Sequence, residues 1–130
     1  MAGGTRCAAL VGPYLSGKTT LLESLLFTAG ALHRKGSVKE GNTVGDASEE
    51  ARARGMSTEV SPGAMTYLGE DWTILDCPGS IELMQEYLNA LNVADIAVFV
   101  VEPAIERSAT LSPVFRALDA RGTPHMIFIN

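Results

Sequence analysis

A chain of 130 residues, 46% hydrophobic and 19% charged, has the length of one domain and enough apolar content to bury a core, which excludes a disordered polypeptide. Fifteen acidic against ten basic residues give a net charge of −5, the wrong sign for a nucleic-acid platform, so direct DNA binding is not expected. The longest apolar run, Ile96–Val101, has six residues against the ~20 of a membrane-spanning helix, so no membrane partner is expected either.

Taken in chain order, Met1-Ala2-Gly3-Gly4-Thr5-Arg6 lacks an apolar signal core. Residues 5–11 form a short apolar run that ends at Gly12, the pattern of a fully buried strand. Leu21, Leu22, Leu25, Leu26 and Ala29 then recur at helical spacing, with Gly30 as the stop. Residues 36–58 are polar, hold Gly36, Gly41, Gly45 and Gly55, and show no period, so a long functional or mobile loop is expected there. Residues 60–68 and 72–77 read as two strands joined by a turn at Gly69-Glu70-Asp71, and Pro62-Gly63 places the first of them at a sheet edge.

Residues 81–91 carry Leu83, Met84, Tyr87, Leu88 and Leu91 at helical spacing, and Ile96–Val101 reads as a buried strand. A helix is expected over 107–120 with Leu111, Val114, Phe115 and Leu118 inward and its start delayed by Pro113; a last apolar strand follows over 124–129. Strands alternating with helices predict an α/β fold, a mostly parallel sheet between helical layers. Cys7 and Cys77 lie in apolar runs, as expected of buried, reduced thiols in a cytoplasmic protein.

Between the first strand and helix, Gly12-Pro13-Tyr14-Leu15-Ser16-Gly17-Lys18-Thr19 satisfies G-x-x-x-x-G-K-[ST]. Glycines let backbone N–H groups curl around a diphosphate, and a helix N-terminus adds favourable partial charge. Lys18 has the reach for β- and γ-phosphates, and the Thr19 hydroxyl suits Mg²⁺. Asp76-Cys77-Pro78-Gly79 closes a strand: its carboxylate suits Mg²⁺ through water, and the Gly79 N–H suits a γ-phosphate, although Asp-x-Pro-Gly is also ordinary turn chemistry. In an open parallel sheet both turns lie at the carboxyl ends of strands, where such folds bind ligands.

With these motifs the chain resembles, over residues 6–130, the N-terminal part of the GTP-binding domain of a translational GTPase of the elongation factor G kind. Gly17-Lys18-Thr19-Thr20, Leu26-Phe27-Thr28-Ala29-Gly30, Gly36-Ser37-Val38-Lys39-Glu40-Gly41, and Asp46 with Glu49 follow that family's order. Arg54-Gly55-Met56-Ser57 resembles its Arg-Gly-Ile-Thr element and Asp76-Cys77-Pro78-Gly79 its Asp-Thr-Pro-Gly. The resemblance implies a three-layer P-loop NTPase that binds GTP or GDP with Mg²⁺, hydrolyses GTP, and has the ribosome as partner. It implies nucleotide contacts from Gly12, Pro13, Tyr14, Leu15, Ser16, Gly17, Lys18, Thr19, Thr20, Asp76, Gly79 and Asn130, and metal contacts from Thr19, Ser57 and Asp76. Ser57 would be the first-switch hydroxyl, in a loop ordered by GTP and released after hydrolysis.

Departures from the family carry expectations of their own. A histidine that orients the attacking water usually follows Asp-x-Pro-Gly; Ser80 stands there, with a hydroxyl but neither the reach nor the charge of imidazole. Ser80 is thus the catalytic candidate beside Lys18, and intrinsic hydrolysis is expected to be slow, which opens the alternative of a GTP-binding switch with little turnover. His33 and His125 are read as surface or structural. Leu15 replaces a common aspartate, and Tyr14 either covers the nucleotide or packs. The basic run His33-Arg34-Lys35 is read as a helix C-terminal charge, with an RNA-facing role as the alternative. Ile127-Phe128-Ile129-Asn130 resembles the strand and Asn that begin the family's guanine-reading Asn-Lys-x-Asp element. The sequence is therefore expected to be a partial GTP-binding domain, truncated before its last elements.

Overall fold

The computed structural model describes residues 4–45, 48–54, 58–104, 106 and 111–130. In chain order come β1 (Arg6–Val11), α1 (Lys18–Thr28), α2 (Glu49–Arg54), β2 (Ser61–Tyr67), β3 (Glu70–Asp76), α3 (Met84–Leu91), β4 (Ile96–Val101), α4 (Ser112–Arg121) and β5 (His125–Ile129). Single 3₁₀ turns lie at Val38–Glu40 and Ile81–Leu83. One five-stranded sheet has the order β2-β3-β1-β4-β5. Its β1 runs parallel to β3 and to β4, β5 is parallel to β4, and β2 is antiparallel to β3. The mostly parallel α/β sheet is the expected one.

The unbroken apolar run of β1 follows from its central place, because both of its faces are covered. Ala8 and Leu10 pack with Ile74 beneath Leu22 and Leu26 of α1. Ala9 and Val11 face the other way, with Ala97 and Phe99, beneath Tyr87, Ala90 and Leu91 of α3 and Val114 and Leu118 of α4. Each fully buried leucine among these stabilises the fold by about 1.5–3 kcal/mol. Phe115 stacks on Phe99 at 4.1 Å between centroids, and the ring of His125 meets both edge-on, so His125 has a packing role. Trp72 packs on the α1 side, with the Arg6 guanidinium 5.8 Å from its ring centre.

Several boundaries differ from the sequence reading. The β2–β3 turn is Leu68-Gly69, both at positive φ (51° and 78°), so Glu70 and Asp71 already pair in β3 with Tyr67 and Thr66. A two-residue turn of that geometry matches the twist of the strands it joins. β2 is an edge strand, as Pro62 predicts, and a Cβ on Gly63 would lie 2.9 Å from Leu22 Cδ1, so the glycine lets α1 lie close. The helix expected from residue 81 opens as a 3₁₀ turn, with Ser80 O accepting the Leu83 N–H at 3.1 Å, and turns α-helical at Met84. α4 starts at Ser112 with Pro113 in its first turn; residues 107–110 of the expected helix lie outside the described residues.

α1 ends at Thr28 with no basic residue in its last turn, so His33-Arg34-Lys35 lies beyond the helix, exposed, and does not act on its dipole. Arg34 instead approaches Glu40 at 3.8 Å. Part of the 36–58 segment is folded inward: Thr43 and Gly45 are buried, and 49–54 is helical. Both cysteines are free, Cys77 buried and Cys7 partly so. Among the described residues no helix is long and apolar enough to cross a membrane.

Candidate functional site

The glycine-bounded loop turns sharply between Val11 and Lys18. Gly12 (φ 147°) and Gly17 (φ 96°) take up left-handed backbone, and so does Leu15 (φ 60°), at a cost of about 1–2 kcal/mol for a residue with a side chain. Gly17 sits at the N-cap of α1 and offers no side chain to its first turn, the arrangement in which helix N-termini take anions. Tyr14 and Leu15, 41% and 55% exposed, form the outer lip.

Lys18 points into this loop and is buried. Its Nζ donates to Gly12 O at 3.1 Å, Pro13 O at 2.7 Å and Ser16 Oγ at 3.4 Å. Burial lowers its pKa to about 8, against the opposing pull of Asp76 and Cys77. An ammonium held by carbonyl dipoles at the bottom of a glycine loop is poised for an anion carrying more charge than those carbonyls.

The end of β3 brings the second element to the loop. Thr19 Oγ1 donates to Asp76 Oδ2 at 2.6 Å, and Asp76, Cys77 and Pro78 are buried. Cys77 N–H is held by Leu10 O at 3.2 Å, and burial followed by the Asp76 charge pushes its thiol up to about 12, so it stays an unreactive thiol. A Cβ on Gly79 would lie 2.6 Å from Lys18 Nζ and 2.6 Å from the Tyr14 nitrogen. Glycine is therefore required where the two turns meet. Asn130, at the end of β5, donates through Nδ2 to Ser16 O at 3.1 Å.

The expected residues Gly12 to Thr19, Asp76, Gly79 and Asn130 thus converge at the carboxyl ends of β1, β3 and β5. Thr20 faces solvent on the first turn of α1, where its carbonyl accepts the Ser24 hydroxyl. Ser80 is partly buried beside Gly79 and begins the next turn. Ser57, together with Asp46, Gly55 and Met56, lies outside the described residues.

Sequence reasoning missed Gly45. A Cβ there would lie 2.6 Å from Asp76 Oδ2 and 2.9 Å from Thr19 Cγ2. Gly45→Ala is therefore expected to disturb the Thr19–Asp76 pair and weaken Mg²⁺-dependent nucleotide binding by about tenfold, as read by titration with and without Mg²⁺.

The donor set fits Mg²⁺. A hydroxyl and a buried carboxylate are hard oxygen ligands on one side of the loop, and Mg²⁺ typically takes only one or two protein ligands beside phosphates and water. Among the described residues no cluster of three or more His, Cys, Asp or Glu side chains forms a metal cage.

Residues 4–130 match the family described as the Elongation factor Tu GTP binding domain. The chain is 53% identical over 125 residues to an elongation factor G-like protein of Synechocystis sp., covering 96% of this chain and 19% of that one. It is 30% identical over 115 residues to elongation factor G 2 of Streptomyces coelicolor, covering 88% and 17%. A crystal structure of a Thermus thermophilus protein superposes with a TM-score of 0.90 at 32% identity, over 96% of this chain and 19% of that one. The chain belongs to the family of the elongation factor Tu GTP binding domain. It spans about a fifth of the length of these relatives.

For a member of this family the lowered Lys18 pKa has a measurable consequence. Phosphate oxygens placed against Lys18 would raise that pKa again, so nucleotide binding would take up a proton above about pH 8 and almost none below pH 7. GDP affinity is expected to be flat below pH 7 and to fall by up to about tenfold per pH unit above pH 8. Calorimetry at pH 8.5 in two buffers of different ionisation enthalpy reads the proton directly.

Proposed function

We propose that this chain is the nucleotide-binding part of a cytoplasmic translation factor that binds GTP with Mg²⁺, hydrolyses it, and acts on the ribosome through the change from GTP to GDP. The observation that carries this reading is the buried Lys18 ammonium inside the 12–17 loop, beside the Thr19–Asp76 pair. Backbone N–H groups of the loop would hold the α- and β-phosphates, and Lys18 would exchange its carbonyl partners for β- and γ-oxygens. Thr19 and Asp76 would hold Mg²⁺, which when bound neutralises charge growing on the phosphate oxygens. Gly79 N–H would meet the γ-phosphate, and Ser80 is the next side chain able to touch the attacking water. Asn130 steadies the loop through Ser16 O. Phosphate release by the full-length protein, measured with and without ribosomes, tests the reading: strong stimulation by ribosomes supports it, and GTP binding without turnover in either condition rejects hydrolysis.

Ser80 favours a second reading, a GTP-dependent switch with little hydrolysis of its own. The residue that follows Gly79 carries a short neutral hydroxyl, so orientation of water and charge stabilisation are both weakened. Ser80→His is expected to raise phosphate release by about tenfold or more, with GTP affinity unchanged. An unchanged rate would mean that Ser80 does not limit turnover.

A further inference from the structure

Glu23 is the one carboxylate of α1, only 1% exposed, between Leu22 and the inward-facing Leu26. Among the described residues no Lys or Arg pairs with it. Both of its oxygens instead accept backbone N–H groups: Oε2 from Gly36 at 2.9 Å and Oε1 from Val44 at 2.5 Å. A buried carboxylate is costly unless hydrogen-bonded, and here two amides meet that need.

Those amides are the two ends of a segment that closes on itself. Ser37 N–H donates to Asn42 Oδ1 at 2.7 Å, and Asn42 Nδ2 donates to Glu40 Oε2 at 3.0 Å. A Cβ on Gly36 would lie 2.6 Å from Asn42 O, so the closure is tight. The residue after Val44 is Gly45, whose carbonyl accepts the buried Ser61 hydroxyl at 2.7 Å and on which a Cβ would lie 2.6 Å from Asp76 Oδ2 and 2.9 Å from Thr19 Cγ2. One side chain in the core of α1 thus fixes the backbone that covers the Thr19–Asp76 pair.

We propose that Glu23 is a positioning residue: by holding both ends of segment 36–44 on α1 it sets Gly45 against Thr19 and Asp76, and so controls how strongly the site prefers a nucleoside triphosphate with its divalent cation over a diphosphate. This rests on the nucleotide-binding function proposed above. The 12–18 loop, which would cradle the diphosphate, makes none of these contacts with Glu23, so diphosphate binding is largely spared when Glu23 is changed. The preference that depends on Thr19 and Asp76 is not spared.

The test uses the full-length protein with Glu23→Ala, Glu23→Gln and Ser61→Ala, titrated with GDP and with a non-hydrolysable GTP analogue in Mg²⁺. In parallel, amide exchange is followed at Gly36 and Val44. Glu23→Ala is expected to lower the ratio of analogue to GDP affinity at least tenfold, with GDP affinity changed less than threefold and exchange faster at both amides. Glu23→Gln, with a single acceptor oxygen, is expected to restore part of the ratio. Ser61→Ala, which frees the other hold on Gly45, is expected to shift it the same way. If Glu23→Ala does not fold, the other two variants decide, and an unmoved ratio in both overturns the proposal. Faster exchange with an unmoved ratio, or equal loss of both affinities, also overturns it. A wild-type protein that binds neither nucleotide removes the proposed function and this inference together; a wild-type protein that binds both, with no change of ratio in the variants, removes this inference alone.

Discussion

Replacing Lys18 with methionine is expected to weaken GDP binding by about 100-fold or more while leaving the nucleotide-free fold no less stable at pH 7. The loss follows from removing the charge-assisted bonds to phosphate that the proposed function gives Lys18, each about 1.5–3 kcal/mol, where about 1.4 kcal/mol is tenfold in affinity. The stability follows from the same side chain in the empty site. Its pKa falls from 10.5 to about 8 because the ammonium is buried, which corresponds to roughly 3 kcal/mol of destabilisation wherever the group is charged in both states. Methionine removes that cost but leaves the Gly12 and Pro13 carbonyls without their donor, so the two effects largely offset.

Between pH 8 and 10.5 the folded wild type has lost the proton that the unfolded chain still binds, so wild-type stability rises relative to the variant across that window and differs least from pH-independent below it. Cys77, which keeps its proton in the fold to about pH 12, pulls the other way above pH 9, and the Lys18 charge lowers its pKa in the wild type alone. The difference between their melting curves therefore reads Lys18 most cleanly between about pH 8 and 9. A variant that melts far below wild type at pH 7 would show that the ammonium stabilises the empty loop.

Gly12→Ala is expected to cost about 3 kcal/mol or more in stability and to abolish nucleotide binding. The added Cβ would lie 2.2 Å from Val100 O, a backbone atom of the neighbouring strand, at a φ of 147° that disfavours side chains. Neither β1 nor β4 has room to yield, since Val11 and Val100 are buried in the core of the sheet. Gly30→Ala is the matched control. Its φ of 77° carries the left-handed penalty of about 1–2 kcal/mol, but nothing lies within 4 Å of the new Cβ. Chemical denaturation of both variants separates backbone strain from collision, and equal losses would mean that the close approach to Val100 carries no weight.

The strands and helices were legible because burial on both faces leaves a continuous apolar run in β1 and β4, and burial on one face leaves a helical stripe in α1, α3 and α4. The 12–18 loop was legible because its spacing is itself the geometry, two glycines at positive φ ahead of a lysine whose Nζ folds back onto the loop carbonyls. The β2–β3 turn was misplaced by two residues, since Leu68 in a left-handed conformation carries no sequence signal of the kind that Asn or Gly provides. Gly45, Ser61 and Glu23 were not found for a different reason. Their contacts join α1, β2 and the 36–45 segment across long sequence separations. The single available signal was a lone carboxylate in an otherwise uncharged stretch of helix after Lys18, a position where a solvated side chain is the ordinary expectation.

The central claim is that the 12–19 loop and the Asp76–Gly79 turn form one guanine-nucleotide site. Calorimetric titration of the full-length protein at pH 7 with GDP and with ATP, beside the Lys18→Met variant, tests it most directly. One GDP per chain, ATP binding far weaker, and loss of the signal in the variant are predicted. Absence of GDP binding, equal affinity for ATP, or a Lys18→Met variant that binds as wild type does would contradict it.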